Sequence, residues 1–296
     1  MFSNDTVLPE IALSCDLMNM NLLSEARCFE GTQKFYSHES RECRTEMRFS
    51  VFVPAQASER PLPVLFYLAG LTCTEETFMI KAGAQRLAAE LGLILVAPDT
   101  SPRKARVPGD DASWDFGLGA GFYVDALQAP WSQHYRMYSY VTSELPAAVQ
   151  SVAPVRADRY GIFGHSMGGH GALVCAMRNP QLYRSVSAFA PIAAPSQCPW
   201  GEKAFSGYLG ADRSSWLQYD ASALVAKQSY PHEILVDQGL SDKFLHEQLK
   251  PEVFEQACRS SGTRLTLRRH QGYDHGYYFI STFMADHLRH HAQRLA

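Results

Sequence analysis

No stretch of this chain approaches the roughly 18 consecutive apolar residues of a membrane span, so no transmembrane helix is expected. The opening residues, MFSNDTVLPEIALSCDLMNM, hold Asp5 and Glu10 but neither Lys nor Arg. A secretory leader begins basic and continues apolar, and this segment does neither. Cysteine is sparse, with seven scattered through 296 residues and no CxxC pair, which argues against a disulfide scaffold, a zinc site and thioredoxin-like exchange. Charge of one sign is lacking too: 27 basic against 30 acidic side chains leave a net charge of -3, no footprint for nucleic acid or an anionic membrane. No glycine loop is spaced to cradle phosphate and no His/Glu pair to ligate a metal along a helix, so neither cofactor nor metal is expected. A reducing, cytoplasmic setting is the expectation.

What is present is an ordinary globular composition, 46% apolar and 19% charged, long enough for one large α/β domain. Residues 1–18 have no clear periodicity and are expected to be a loosely structured extension; residues 19–296 are expected to form a single domain. MRFSVFV (Met47 to Val53) alternates like a half-buried strand. Beyond it come short, fully apolar runs: VLFYL (Val64 to Leu68), LILVA (Leu93 to Ala97), RYGIF (Arg159 to Phe163), VSAFA (Val186 to Ala190) and EILVD (Glu233 to Asp237). Segments of helical spacing separate them, such as FMIKAGAQRLAAELG and VFEQACRSSG. TLRRH after Leu265 reads as one more strand, and YYFISTFMADHLRHHAQRL as a closing amphipathic helix. Apolar strands alternating with helices describe a mainly parallel central sheet covered by helices on both faces, with an antiparallel strand pair at its N-terminal side.

Within that pattern, Gly164-His165-Ser166-Met167-Gly168 fits G-x-S-x-G, between the strand YGIF and the helical GALVCAMRNP. This is the context in which a serine is strained onto a sharp turn with its Oγ above the sheet, as in the α/β-hydrolase fold. Such a serine needs a base and an acid in the order Ser…Asp…His. Of eleven histidines, His275 in HQGYDHGYYFI follows the last strand and directly precedes the final helix, a placement that favours it over His270. His165 and His170 lie on the turn itself, and His287, His290 and His291, on the terminal helix, are expected to be solvated. ILVDQGLSDKFL offers two acids: Asp237 could close the turn by bonding backbone amides, and Asp242, in the loop beyond, is better placed to reach His275. Asp274 adjoins His275 in the chain, and neighbouring side chains seldom face each other. An oxyanion hole would take its two N–H groups from Met167 and, after the strand Val64 to Leu68, from Leu71.

Eight segments together, YLAGLTCTEETF, APDTSPR, SWDFGLGAGFYVDA, YVTSELP, FGHSMGGHGAL, CPWGEKAFSGYLG, DQGLSDKFL and GYDHGYYFI, resemble the S-formylglutathione hydrolase (esterase D) family, in order, from about ARCFEGTQKFYSHES to the end of the chain. The resemblance implies an α/β-hydrolase, often a homodimer, whose small-molecule substrate S-formylglutathione is cleaved to glutathione and formate in formaldehyde detoxification. It implies Ser166, Asp242 and His275 as the triad, Leu71 and Met167 as the oxyanion amides, and a thiol at Cys73 whose modification blocks the site. It also raises Trp114 and Trp200 as walls of a narrow acyl pocket. Lys203 is a candidate to meet a glutathione carboxylate, though an exposed lysine is more often simply solvated. The first eighteen residues have no family counterpart, and Thr32 and Thr77 stand where the family commonly has tryptophan and asparagine. The alternatives are a broad short-chain carboxylesterase and a binding module on an inactive hydrolase scaffold.

Overall fold

The computed structural model describes residues 19–296; the expected N-terminal extension, residues 1–18, lies outside them. Nine strands form one sheet in the order β1-β2-β3-β5-β4-β6-β7-β8-β9. Parallel pairing runs from β5 (Ile94–Pro98) through β4 (Leu62–Leu68), β6 (Val155–His165), β7 (Tyr183–Phe189) and β8 (Ile234–Gly239) to β9 (Leu265–His270). The expected antiparallel pair is instead three strands, β1 (Asn21–Cys28), β2 (Gly31–Ser40) and β3 (Thr45–Val53), with β3 also antiparallel to β5. The mainly parallel α/β sheet with helices is thus as expected, extended on its N-terminal side.

Three details differ from the reading of the sequence. β3 is not half-buried: Phe49, Ser50, Val51 and Phe52 are all sealed, because the strand lies inside the sheet and the Ser50 hydroxyl donates to the Glu75 carbonyl (2.7 Å) of the overlying helix Glu75–Lys81. The helical stretch beginning at Phe78 is broken in two, Glu75–Lys81 and Gln85–Leu91, with Gly83 between them at φ +67, a conformation few residues but glycine adopt cheaply. And His287, His290 and His291 are buried, not solvated. Met284, His287, Leu288, His291 and Leu295 recur at helical spacing along the C-terminal helix Tyr277–Leu295 and form the stripe it presses onto the sheet.

Sealed imidazoles need partners. His291 bonds Ser185 Oγ (2.6 Å) and Ser187 Oγ (2.8 Å) of β7 through its two ring nitrogens, and His287 lies between Ser187 Oγ (2.7 Å) and Asp237 Oδ2 (3.3 Å). Asp237, read from the sequence as a turn-closing residue, is the hub of this network. Its carboxylate takes a two-pronged contact from Arg268 (2.6 and 2.5 Å). Burial alone would raise this carboxyl, but His287 and Arg268 hold it well below the usual carboxylate range.

Burial pushes six histidines below the ordinary imidazole value: His38, His165, His170, His287, His290 and His291, with His170 and His290 at about 4. They are neutral in the folded chain, whereas the unfolded chain takes up protons below about pH 6.5, so stability is flat above that pH and lost as pH falls toward 4. Glu75, raised to about 7 by burial and by Asp99, acts in the opposite sense, as do Asp99 and Asp110, which burial also raises; these are three groups against six. Calorimetry from pH 8 to pH 5 should give a Tm that is level down to about pH 7 and then drops by several degrees. A level Tm throughout would contradict this picture of the histidines.

Candidate active site

The site is built where β6 ends. Ser166 follows β6 directly and precedes the helix Met167–Arg178, and its backbone sits at φ 57, ψ -119, a strained conformation for a residue with a Cβ. Three hydrogen bonds hold it there: Ser166 N–H donates to the Phe189 carbonyl (3.0 Å), and the Ser166 carbonyl accepts from His170 N–H (3.0 Å) and Ile192 N–H (3.2 Å). The two motif glycines are there for space. A Cβ on Gly168 would lie 1.9 Å from the Leu68 carbonyl oxygen, and one on Gly164 would lie 2.3 Å from the Gly168 carbonyl oxygen.

Because β4 lies beside β6, the loop leaving Leu68 passes over this turn. Thr72 is pinned by its N–H to the Gly119 carbonyl (2.9 Å), at φ 68, while the Leu71 N–H has no hydrogen-bond partner among the described residues. Met167 opens its helix, where position leaves an amide without an intrahelical acceptor. Leu71 and Ser166 line one cleft.

Asp242 and His275 come from the loops after β8 and β9. Those loops are laced together by Leu240 N–H to the His270 carbonyl and Ser241 N–H to the Tyr273 carbonyl, both 2.9 Å. Gly239 permits the contact, since a Cβ there would lie 2.4 Å from the Tyr273 carbonyl oxygen. The result is a 2.5 Å contact between Asp242 Oδ2 and His275 Nδ1, with the carboxylate fully buried. Asp242 is further fixed by Phe244 N–H (2.8 Å) and Gln238 Nε2 (3.3 Å). His275 Nε2, on the far side of the ring, is buried and has no hydrogen-bond partner, so the bond to Ser166 is not made in this geometry although both residues line the cleft. Unliganded sites often hold such bonds open.

The cleft encloses about 160 Å³. Trp114 and Trp200 meet edge to face across it (ring centroids 5.7 Å), Trp200 packs on Phe244 (4.6 Å), and Phe244 stands edge-on to His275 (5.1 Å). Cys73 lines the same cleft, and burial raises its thiol above the ordinary value. Three wall residues escaped the reading of the sequence. Phe244 and Tyr277 each stand two positions beyond Asp242 and His275, and His165 lies with its ring centroid 4.4 Å from that of His275. The signal for the first two was there: aromatic residues at the same offset from both loop candidates. Lys203 is not on the cleft wall. Its ammonium is tied to Asp115 and to Ser113 Oγ (2.7 Å), on either side of Trp114. Among the described residues, no group of three or more His, Cys, Asp and Glu is placed to hold a metal ion, and no helix is long and apolar enough to cross a membrane.

A nucleophile-elbow turn beside a part-buried Asp–His pair, at the carboxyl edge of a mainly parallel sheet, defines a serine hydrolase of the α/β-hydrolase class. The family model described as "Esterase: Putative esterase" matches residues 40–290. S-formylglutathione hydrolases of Rattus norvegicus and Mus musculus are 53% and 54% identical to this chain over 280 residues, 94% of this chain and 99% of theirs. The structure of the S-formylglutathione hydrolase from Agrobacterium tumefaciens superposes with a TM-score of 0.91 at 51% identity, covering 93% of this chain and 100% of that one. The chain belongs to this esterase family and, within it, to the S-formylglutathione hydrolases.

The Lys203 contacts suggest a simple test of what holds Trp114. Lys203→Ala should loosen Trp114 from Trp200, seen as a red shift of tryptophan emission. Stability should change little, since an exposed ion pair contributes about 0–1 kcal/mol. Unchanged emission would show that the aromatic contact stands without the lysine.

Proposed function

We propose that this chain hydrolyses S-formylglutathione to glutathione and formate. The observation that carries this reading is the 2.5 Å Asp242–His275 pair, in which His275 lines the same cleft as Ser166 and keeps its Nε2 without a partner. The names of the close relatives support the substrate.

In this reading Nε2 takes the Ser166 proton as Oγ attacks the formyl carbon. The carbonyl oxygen becomes an oxyanion received by the Leu71 and Met167 amides. The C–S bond then breaks, releasing the thiolate, which takes the proton from His275 and so returns the imidazole to its neutral form, and a formyl ester remains on Ser166. Water, deprotonated by the same imidazole, attacks that ester, and the serine regains its proton as formate leaves. Asp242 fixes the tautomer that presents Nε2 as acceptor and stabilises the imidazolium. A thiolate leaves easily, so deacylation is the slower half. Trp114, Trp200 and Phe244 narrow the acyl space toward formyl size, and alkylation of Cys73 on the cleft wall blocks entry. We further propose that residues 19–296 act as one domain in a cytoplasmic homodimer.

Ser166→Ala should lower turnover of S-formylglutathione by several orders of magnitude, and stopped-flow mixing of the native chain with p-nitrophenyl acetate should show a burst of one nitrophenolate per site. Full activity in the serine variant, with no burst, would sink the acyl-enzyme. A kcat/KM for p-nitrophenyl acetate equal to or above that for the thioester would point to a general short-chain carboxylesterase.

A further inference from the structure

The cleft holding Ser166 encloses about 160 Å³, below the roughly 300 Å³ at which pockets begin to hold a drug-sized molecule. It has room for an acyl group and a sulfur atom. A tripeptide thiol leaving group must therefore lie on the surface at the mouth, and the surroundings of the two flanks decide which side receives it.

On the flank of Trp114, Trp200 and Phe244, Lys203 is already bound to Asp115 and Ser113, and Lys243 lies over the Phe244 ring, 4.8 Å from its centroid. On the opposite flank a second cavity of about 480 Å³ opens, lined by Lys81, Tyr277, Tyr278 and Ser281. Tyr277 lines both cavities, so they share a wall. Lys81 ends the helix Glu75–Lys81, and its ammonium lies 5.8 Å from the centroid of the Tyr277 ring. Among the described residues it has neither an ion-pair partner nor a hydrogen bond. Tyr278 is 88% exposed, an aromatic residue with no ring contact among the described residues. The same cavity meets the first turn of the 19-residue C-terminal helix, whose unsatisfied amides favour negative charge. Asp274, beside that helix end, has its carboxylate turned onto the Gly276 N–H (2.9 Å).

We propose that this second cavity is the subsite for the peptide part of the leaving group, with Lys81 pairing a glutathione carboxylate and Tyr278 covering the peptide backbone. The inference rests on the reading that the leaving thiol is glutathione. Lys81 acts on binding and takes no part in the chemistry at Ser166.

The quantity that tests it is the selectivity, kcat/KM for S-formylglutathione divided by kcat/KM for p-nitrophenyl acetate, in which any loss common to both substrates cancels. Lys81→Ala should lower this ratio about threefold and Lys81→Glu about tenfold, mainly through KM, with Lys81→Arg restoring it to within about twofold. Tyr278→Ser should lower it as well. A separate measurement needs no thioester turnover: inhibition of ester hydrolysis by glutathione should weaken about tenfold in Lys81→Glu. An unchanged ratio together with unchanged inhibition would overturn the subsite. A native chain that shows no preference for the thioester would defeat the substrate reading instead, and the inhibition measurement would still decide the subsite.

Discussion

The site depends on one close approach of backbone to backbone. β4 and β6 run side by side, and the chain leaving Leu68 passes so near the start of the next helix that a methyl group on Gly168 would overlap the Leu68 carbonyl. Removing two Cβ atoms, at Gly164 and Gly168, lets the loop carrying Leu71 lie over the turn carrying Ser166. It brings an uncommitted loop amide and the opening of a helix to one cleft. The strained Ser166 backbone costs about 1–3 kcal/mol, which the surrounding hydrogen bonds and close packing sustain.

Asp242 and His275 reach this cleft by a different route. Their loops follow neighbouring parallel strands, β8 and β9, and the hydrogen bonds that lace the loops together set Asp242 against His275 before any substrate is present. Beneath them lies a sealed polar network, Asp237 with Arg268 and His287, continuing through Ser187 and His291 to Ser185. It ties β7, β8, β9 and the C-terminal helix to one another, and so anchors both ends of the segment that carries His275. A network of this kind is favourable only when its members are satisfied. Here a serine with the wrong partner would leave an imidazole stranded in the core.

Much of this was legible in the residues. Fully apolar runs marked β4, β5, β6, β7 and β8 because a strand covered on both faces has no polar side to show. The glycine spacing around Ser166 marked the turn because only a steric demand explains it. What could not be read came from tertiary context. β1 is exposed along nearly its whole length, so no apolar pattern announces it. The terminal histidines looked solvated because histidine is polar, although their spacing with Met284, Leu288 and Leu295 already placed two of them on the buried stripe. Lys203 looked free because its partners, Ser113 and Asp115, are nearly ninety residues away in the chain. The curated relatives speak to the family and the fold, whereas the roles of individual side chains rest on the geometry described above.

The most direct measurement is a crystal structure of the chain after reaction with a small alkyl fluorophosphonate. The account predicts a covalent bond from phosphorus to Ser166 Oγ, the phosphoryl oxygen within hydrogen-bond reach of the Leu71 and Met167 N–H groups, and His275 Nε2 turned to the adduct with its Asp242 contact intact. An adduct on another residue, or a phosphoryl oxygen facing solvent with His275 swung away, would contradict it.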